Sequence, residues 1–313
     1  MKYYYRVYGL NIESSIMIPE LEVIDNNCDV DVKLSYGVVN DEIKELRETG
    51  SVANYEKLDM WFHIKDVAIY HIYNGDTVVI EPYENASFKT IKLYILGSVL
   101  GLALLQRNMV AIHGGGIVIN GKGCIFTGEK GAGKSTISTA LRQKGHKFIS
   151  DDVCSINIGE IKTINHGFAY QKLCEDAMVK LGYNIDQFEQ FRGDLDVNKY
   201  LVPAFEQFTK KETPLEAIFE LTVGEVNQVE IEEVIGVQKM NKILENIFRI
   251  EMLRYCGGID PIYFKKCLEI AKSIKLYKIT RPKDVFSVDE QIRLIEEKIY
   301  VENHARLYEE VTT

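Results

Sequence analysis

The six cysteines (Cys28, Cys124, Cys154, Cys174, Cys256, Cys267) show no CxxC or CxxH spacing, which points away from a disulfide framework and from a cysteine-ligated zinc site. Basic charge is also in short supply. With 37 Lys and Arg against 46 Asp and Glu, the formal charge is −9, the wrong sign for a surface that reads phosphate backbones. The most apolar stretch, Leu93–Leu105, falls short of the ~20 residues a bilayer span requires and reads as a buried helix. The opening Met1-Lys2-Tyr3-Tyr4-Tyr5 has no signal-peptide core. No repeat or low-complexity linker occurs. These absences give the expectation of a cytoplasmic protein that contacts neither membrane nor nucleic acid. Missing motifs narrow the enzyme classes too. N-K-x-D, H-R-D, D-F-G and L-S-G-G-Q are all lacking, against a GTPase, a protein-kinase fold and an ABC-type ATPase respectively.

What is present is a complete phosphate-binding loop. Gly128-Glu129-Lys130-Gly131-Ala132-Gly133-Lys134-Ser135 fits G-x-x-x-x-G-K-[ST], and Thr136 follows it. A short apolar strand, Cys124–Thr127, precedes the loop. Thr136–Lys144 then reads as a helix stopped by Gly145. Glycines free the backbone N–H groups to wrap a phosphate, and the helix N-terminus adds partial positive charge. Lys134 is expected at the β- and γ-phosphates and Ser135 on Mg²⁺, with ATP as the nucleotide.

Around this loop the chain reads as α/β. Tyr3–Tyr8, Val30–Leu34, Met60–Ile64, Val67–Tyr73 and Thr77–Ile80 are strand-like, forming an N-terminal β-rich domain over residues 1–86 that is a candidate platform for recognising substrate. Asp41–Arg47 reads as a short helical or loop insertion. A nucleotide-binding domain with C-terminal helices is expected over residues 87–313. It opens with a helix near Ser87–Gln106, then an Asn120-Gly121 hairpin leading into the loop. Residues 238–256 carry Ile243, Ile247, Ile250 and Leu253 at helical spacing, a helix follows at Pro261–Ser273, and a last helix starts at Ser287 with Glu290 completing a capping box.

Phosphoryl transfer needs one carboxylate near the metal and another to take the acceptor's proton. Asp151-Asp152, at the end of the strand after the loop helix, stands where an α/β sheet places its ligand crevice. Lys199, in a polar stretch after Phe191-Arg192-Gly193-Asp194, is a further cation that can approach phosphates, though a solvated loop lysine is the default. Arg249 and Glu251 read as an ion pair on a helix. Arg281 is held extended before Pro282.

The run Ala111-Ile112-His113-Gly114-Gly115-Gly116, the loop, and Lys144-Gly145-His146-Lys147-Phe148-Ile149-Ser150-Asp151-Asp152 together resemble the HPr kinase/phosphorylase family of P-loop kinases. The order loop, helix, short strand, Asp-Asp is similar to phosphoenolpyruvate carboxykinases as well. The resemblance implies a nucleotide-binding core of HPr kinase/PEP carboxykinase type. It further implies that Asp151 is the base for the acceptor hydroxyl, Asp152 a metal ligand and His113 an active-site residue. The family's glycine-rich signature and P-G-R loop are absent, which separates the chain from bifunctional HPr kinase/phosphorylase. Tyr4-Tyr5-Arg6-Val7-Tyr8-Gly9-Leu10, Ile18-Pro19-Glu20-Leu21, Phe248-Arg249-Ile250-Glu251 and Tyr277–Asp284 resemble HPr-kinase-related tailoring kinases of lasso-peptide clusters. That likeness implies phosphorylation of a serine hydroxyl on a ribosomal precursor peptide. The alternatives are a small-molecule (amino-acid or sugar) kinase and a non-catalytic nucleotide-binding regulatory protein. The oligomeric state is left open.

Overall fold

The computed structural model describes residues 1–192 and 198–312. Strands β1 (Tyr3–Val7) and β2 (Leu10–Ser14) form a hairpin whose turn residues, Tyr8 and Gly9, both have positive φ (56° and 83°). β3 (Glu22–Val23) lies outside β1, and β4 (Val32–Tyr36) runs parallel to β2. The acidic segment is helix α1 (Asp41–Glu48), capped by Asn40, whose side-chain oxygen accepts from the Ile43 N–H at 2.9 Å. A meander of β5 (Ala53–Glu56), β6 (Asp59–Ile64), β7 (Ala68–Tyr73) and β8 (Thr77–Pro82) completes the sheet, in the order β3-β1-β2-β4-β8-β7-β6-β5 among the described residues. The strands expected from the sequence are all here. β2, β3 and β5 are additional, being short or too polar in alternation to have given a signal.

The apolar helix runs Phe88–Gln106, as α2 (Phe88–Tyr94), a π-helical turn (Ile95–Val99) and α3 (Leu100–Gln106). At 19 residues it is longer than its most apolar run, and by length and composition alone it could cross a bilayer. Here it is a core helix: Ile91, Ile95, Val99, Leu100 and Leu104 are buried among residues from both sheets.

The second sheet carries the glycine-rich loop. β9 (Ala111–His113) leads into the hairpin of β10 (Gly115–Ile119) and β11 (Lys122–Gly128), turned by Asn120-Gly121 as its sequence predicts, both with positive φ (49° and 76°). Loop helix α4 (Lys134–Gln143) follows, then β12 (Lys147–Ser150), β13 (Val153–Ile158) and β14 (Lys162–Ile164). β15 (Tyr170–Cys174), α5 (Glu175–Lys180), β16 (Glu189–Arg192) and β17 (Asn198–Pro203) build a small antiparallel sheet at the side. The long central strand β18 (Thr213–Gly224) pairs parallel with β11, matching Phe126 to Phe219 and Gly128 to Leu221. β19 (Glu230–Glu233), α6 (Gly236–Glu245), α7 (Ile250–Tyr255), α8 (Pro261–Ser273), β20 (Lys275–Pro282) and α9 (Val288–Thr312) finish the chain, with β20 parallel to β18.

Two expectations need correction. Residues 238–256 are not one helix: α6 stops at Glu245 and α7 starts at Ile250. Between them, Ile247 bridges Ile112 of β9, the Phe248 N–H donates to the Ala111 carbonyl (2.8 Å) and Arg249 is left-handed (φ 57°). Pairing with a strand edge overrides the helical spacing there. Ser287 lies just before α9, but its hydroxyl accepts from the Gln291 side-chain amide (3.3 Å), one residue beyond the expected Glu290.

The main core does not respect the division at residue 86. Tyr5, Tyr8, Ile12, Leu34 and Ile72 of the first sheet belong to the same buried cluster as Ile112, Ile125, Ile149, Ile218 and Ile270 of the second half. A separate cluster (Phe126, Ile137, Leu141, Phe219, Ile292, Ile295) joins the other face of the second sheet to α4 and α9. Stripping the first sheet from the shared core exposes a large apolar face. Residues 87–313 expressed alone should therefore bind a hydrophobic dye and lose the sharp urea transition of the full chain. A cooperative, dye-silent fragment would show that the second half stands on its own.

Candidate functional site

The loop between β11 and α4 turns through three glycines in left-handed conformation: Gly128 (φ 131°), Gly131 (φ 85°) and Gly133 (φ 109°). A Cβ on Gly128 would lie 2.3 Å from the Leu221 carbonyl oxygen, so strand pairing as well as φ demands glycine there. The loop's carbonyl groups are held by cations. Lys134 Nζ donates to Gly128 O (2.7 Å) and Glu129 O (3.1 Å), while Arg281 donates from Nε to Ala132 O (3.1 Å) and from Nη2 to Gly131 O (3.2 Å). Within the loop the Ala132 N–H donates to Glu129 O (3.2 Å), closing a tight glycine-rich turn of the kind that wraps a phosphate. Arg281 is thus a loop clamp, more than an extended residue before proline.

The acidic pair sits in the tight turn from β12 to β13. Asp152 is left-handed (φ 69°), as a tight turn between two strands requires. Asp151 is 7% exposed, and its Oδ2 accepts from the Lys172 backbone N–H at 2.8 Å. Asp152 Oδ2 meets Lys172 Nζ at 3.2 Å, and Oδ1 lies 3.3 Å from His113 Nδ1. Burial, reinforced by the negative charge of Asp152, pushes the Asp151 carboxyl up to about 6. Asp152 goes the other way: burial opposes its ionisation, but Lys172, His113 and Lys199 together outweigh that and hold it well below the usual carboxylate range. One site therefore holds a permanently ionised carboxylate beside one able to exchange a proton near neutral pH.

His113 ends β9, opposite Val153. Its Nδ1 faces the Asp152 carbonyl oxygen (3.1 Å) as well as Oδ1. Both neighbours are acceptors, so Nδ1 carries the proton and Nε2 is the free nitrogen. Burial first, then the charges of Lys134 and Arg249, lower its pKa against the pull of Asp152, keeping the ring neutral over more of the pH range. Burial likewise lowers the Lys134 ammonium pKa, against the opposing charges of Asp152 and Asp151.

Of the residues expected to act together, Lys134, Asp151, Asp152 and His113 lie close enough to feel one another's charge. The polar stretch 193–197 before Lys199 lies outside the described residues, but the Lys199 charge acts on Lys134 and both aspartates. Arg249 is not on a helix face. From the α6–α7 break it donates to Ser98 Oγ (2.9 Å), lies over the Phe248 ring, and pairs with Glu251 only at 3.5 Å. Two residues were not singled out from sequence. Lys172, on β15, neutralises Asp152. Tyr8, fully buried in the first sheet's hairpin turn, stands near enough for Asp152 and Asp151 to raise its pKa, burial being the larger cause. Neither forms a local pattern with the aspartates.

Residues 105–178, which contain the loop, His113 and the aspartate pair, match the family model of the HPr serine kinase C-terminal domain. The HPr kinase/phosphorylase of Mycoplasmopsis pulmonis is 36% identical over 72 residues, 22% of this chain and 23% of that protein. That of Lactobacillus acidophilus is 43% identical over 58 residues, 18% of this chain and 17% of that protein. Residues 105–178 are thus similar to the HPr serine kinase C-terminal domain. The chain spans about a fifth of the length of these curated relatives. The Hpr(Ser) kinase/phosphatase structure from Coxiella burnetii aligns with 64% of the chain and 98% of its own, at 14% identity and a TM-score of 0.30. The kinship is carried by the loop-to-aspartate segment.

The raised Asp151 pKa has a consequence for stability. An acid whose folded pKa lies above its unfolded value favours folding while protonated and opposes it once ionised. Asp151→Asn should match the parent below about pH 4 and become progressively more stable as pH rises through 6. The difference is bounded by about 3 kcal/mol, the free energy of a two-unit shift. Thermal melts of both proteins between pH 4 and 8 test this; a constant difference would mean that the carboxyl titrates alike in both states.

Proposed function

We propose that the chain is an ATP- and Mg²⁺-dependent kinase that transfers the γ-phosphoryl group to a serine-type hydroxyl of a peptide or protein, with a ribosomal precursor peptide as the favoured acceptor. The observation that carries this reading is the split aspartate pair beside a complete phosphate loop: one carboxylate fixed as an anion, the other poised to accept a proton. A regulatory nucleotide binder has no use for a proton acceptor at that place.

In this reading the backbone of Gly128, Glu129, Lys130, Gly131, Ala132 and Gly133, with Lys134, Ser135 and Thr136, wraps the triphosphate, the Ala132 N–H exchanging Glu129 O (3.2 Å) for a phosphate oxygen. Ser135 and Asp152 would hold Mg²⁺, which neutralises phosphate charge when bound. Lys134 exchanges the Gly128 and Glu129 carbonyls for phosphate oxygens. Asp151 takes the proton as the acceptor oxygen forms its bond to phosphorus, and the β–γ bridging oxygen departs with ADP. His113 Nε2 faces the acceptor side as a hydrogen-bond acceptor that orients the hydroxyl. Such chemistry fits a cytoplasmic location.

The test is intact-mass spectrometry of candidate acceptors incubated with ATP, Mg²⁺ and the protein: a serine-containing precursor peptide from the same gene neighbourhood, and HPr. One phosphate on the peptide supports the reading in full, and phosphate on HPr moves the acceptor to that protein. ATP binding with no transfer to either would sink it. Asp151→Asn should lower kcat by about 10²–10⁴-fold, the range for loss of a general base. In the parent enzyme kcat/KM should fall as pH drops through about 6, where Asp151 becomes protonated.

A further inference from the structure

His113 is held from behind by groups that take no part in the chemistry above. Its N–H donates to the Asn246 carbonyl at 2.8 Å. Its carbonyl oxygen lies 2.7 Å from Thr127 Oγ1, which is also 2.7 Å from Asn246 Oδ1. The Asn246 side-chain amide donates to Lys242 O (2.8 Å) and to Glu220 Oε1 (3.3 Å), and Lys242 Nζ pairs with the same Glu220 oxygen at 3.2 Å. Glu220 is 5% exposed, and its Oε2 finds no hydrogen-bond partner among the described residues. Glu220 faces Thr127 across the β11–β18 pairing, and Thr127 is the residue immediately before Gly128.

We propose that Asn246 and Thr127 are positioning residues that set His113 against Asp152 and tie it to the start of the nucleotide loop. Both polar backbone groups of His113 end on these two residues. The bridge of Ile112 to Ile247 and the Phe248–Ala111 bond extend the same attachment to the whole of β9. The imidazole that results is wedged between the Phe248 ring (centroids 5.9 Å apart) and the Asp152 turn. A buried carboxylate with an unpartnered oxygen is an expensive feature for a purely structural strut, since an apolar side chain would close α6 on the sheet without it. Here Glu220 fixes which way the Asn246 amide points: Nδ2 toward the carboxylate, Oδ1 toward Thr127. The Thr127 hydroxyl has one proton for two acceptors. A hydroxyl on the residue that leads into the loop is therefore shared between the histidine and the asparagine.

The inference rests on the kinase reading for its kinetic arm but not for its spectroscopic one. Thr127→Val keeps the shape of the side chain and removes the hydroxyl; Thr127→Ser keeps the hydroxyl. The ring carbon–proton NMR correlation of His113, identified with His113→Gln, is recorded at a single pH. It should shift or broaden in Thr127→Val and in Asn246→Ala, and coincide with the parent signal in Thr127→Ser. In the phosphorylation assay, Thr127→Val and Asn246→Ala should lower kcat about tenfold or more, the scale of a small misplacement. Affinity for a fluorescent ADP analogue should hold, and Thr127→Ser should recover most of the loss. Neither substitution should lower kcat further in a His113→Ala background, because residues acting through one group are not additive. An unmoved His113 signal in Thr127→Val overturns the proposal, as does a loss that adds fully to that of His113→Ala. If the parent protein transfers no phosphate, the kinase reading fails and the NMR comparison still decides the positioning claim.

Discussion

The constraint that organises this molecule is a pair of adjacent carboxylates, Asp151 buried and Asp152 half-buried. Neighbouring anions repel each other, and withdrawing a carboxylate from water is unfavourable unless cations and N–H donors replace the lost solvation. The compensation comes from distant parts of the chain. Lys172 reaches in from the small side sheet with both its backbone N–H and its ammonium. His113 arrives from β9 and Lys134 from the nucleotide loop, while the Lys199 charge adds from β17. Losing any of these elements leaves charge uncompensated, so site and fold stand or fall together.

The first sheet takes part in the same arrangement. Its hairpin turn inserts Tyr8 behind the aspartate turn, and a Cβ on Gly167 would fall 2.4 Å from Ser150 Oγ and 3.0 Å from the Tyr8 ring. The backbone there closes so tightly that only glycine fits. The core helix reaches the site through its π-helical turn, a local widening that often marks functional positions. Ser98 of that turn accepts from Arg249, and a Cβ on the neighbouring Gly97 would sit 3.6 Å from Lys172 Nζ. The first sheet, the core helix and the aspartate turn are therefore packed as one unit.

This division explains what could be read in the sequence. The phosphate loop, the Asn120-Gly121 hairpin, the Asn40-capped acidic segment and the helix after Pro261 are each written in residues a few positions apart, and local chemistry decides them. The aspartate pair was readable because it follows the loop at short range. Lys172 was not, since it is an ordinary strand lysine until β15 lays it against Asp152. Tyr8 looked like one aromatic among many. The break at residues 246–249 was misread for a related reason: Ile243, Ile247, Ile250 and Leu253 keep helical spacing, but the exposed edge of β9 offers that segment better partners than its own next turn. Local pattern loses wherever a sheet edge or a buried charge competes for the same backbone.

The nucleotide loop shows the same competition resolved in favour of a ligand. Its carbonyl groups are occupied by Lys134 and Arg281, two cations with different freedom. Arg281 is fixed by β20 and grips the far side of the loop through two planar N–H donors. Lys134 is a flexible point charge on the near side, and burial already favours its giving up the proton that the aspartates favour keeping. A triphosphate offers that ammonium stronger acceptors than two backbone carbonyls. In the kinase proposed above, Arg281 would keep the loop's shape while Lys134 changes partners. Lys134 lies in the field of Asp151, so moving its charge onto phosphate would alter how readily Asp151 takes a proton. Phosphate placement and base strength would then be coupled through a single side chain, a physical reason for a loop lysine and an acidic pair to occur together.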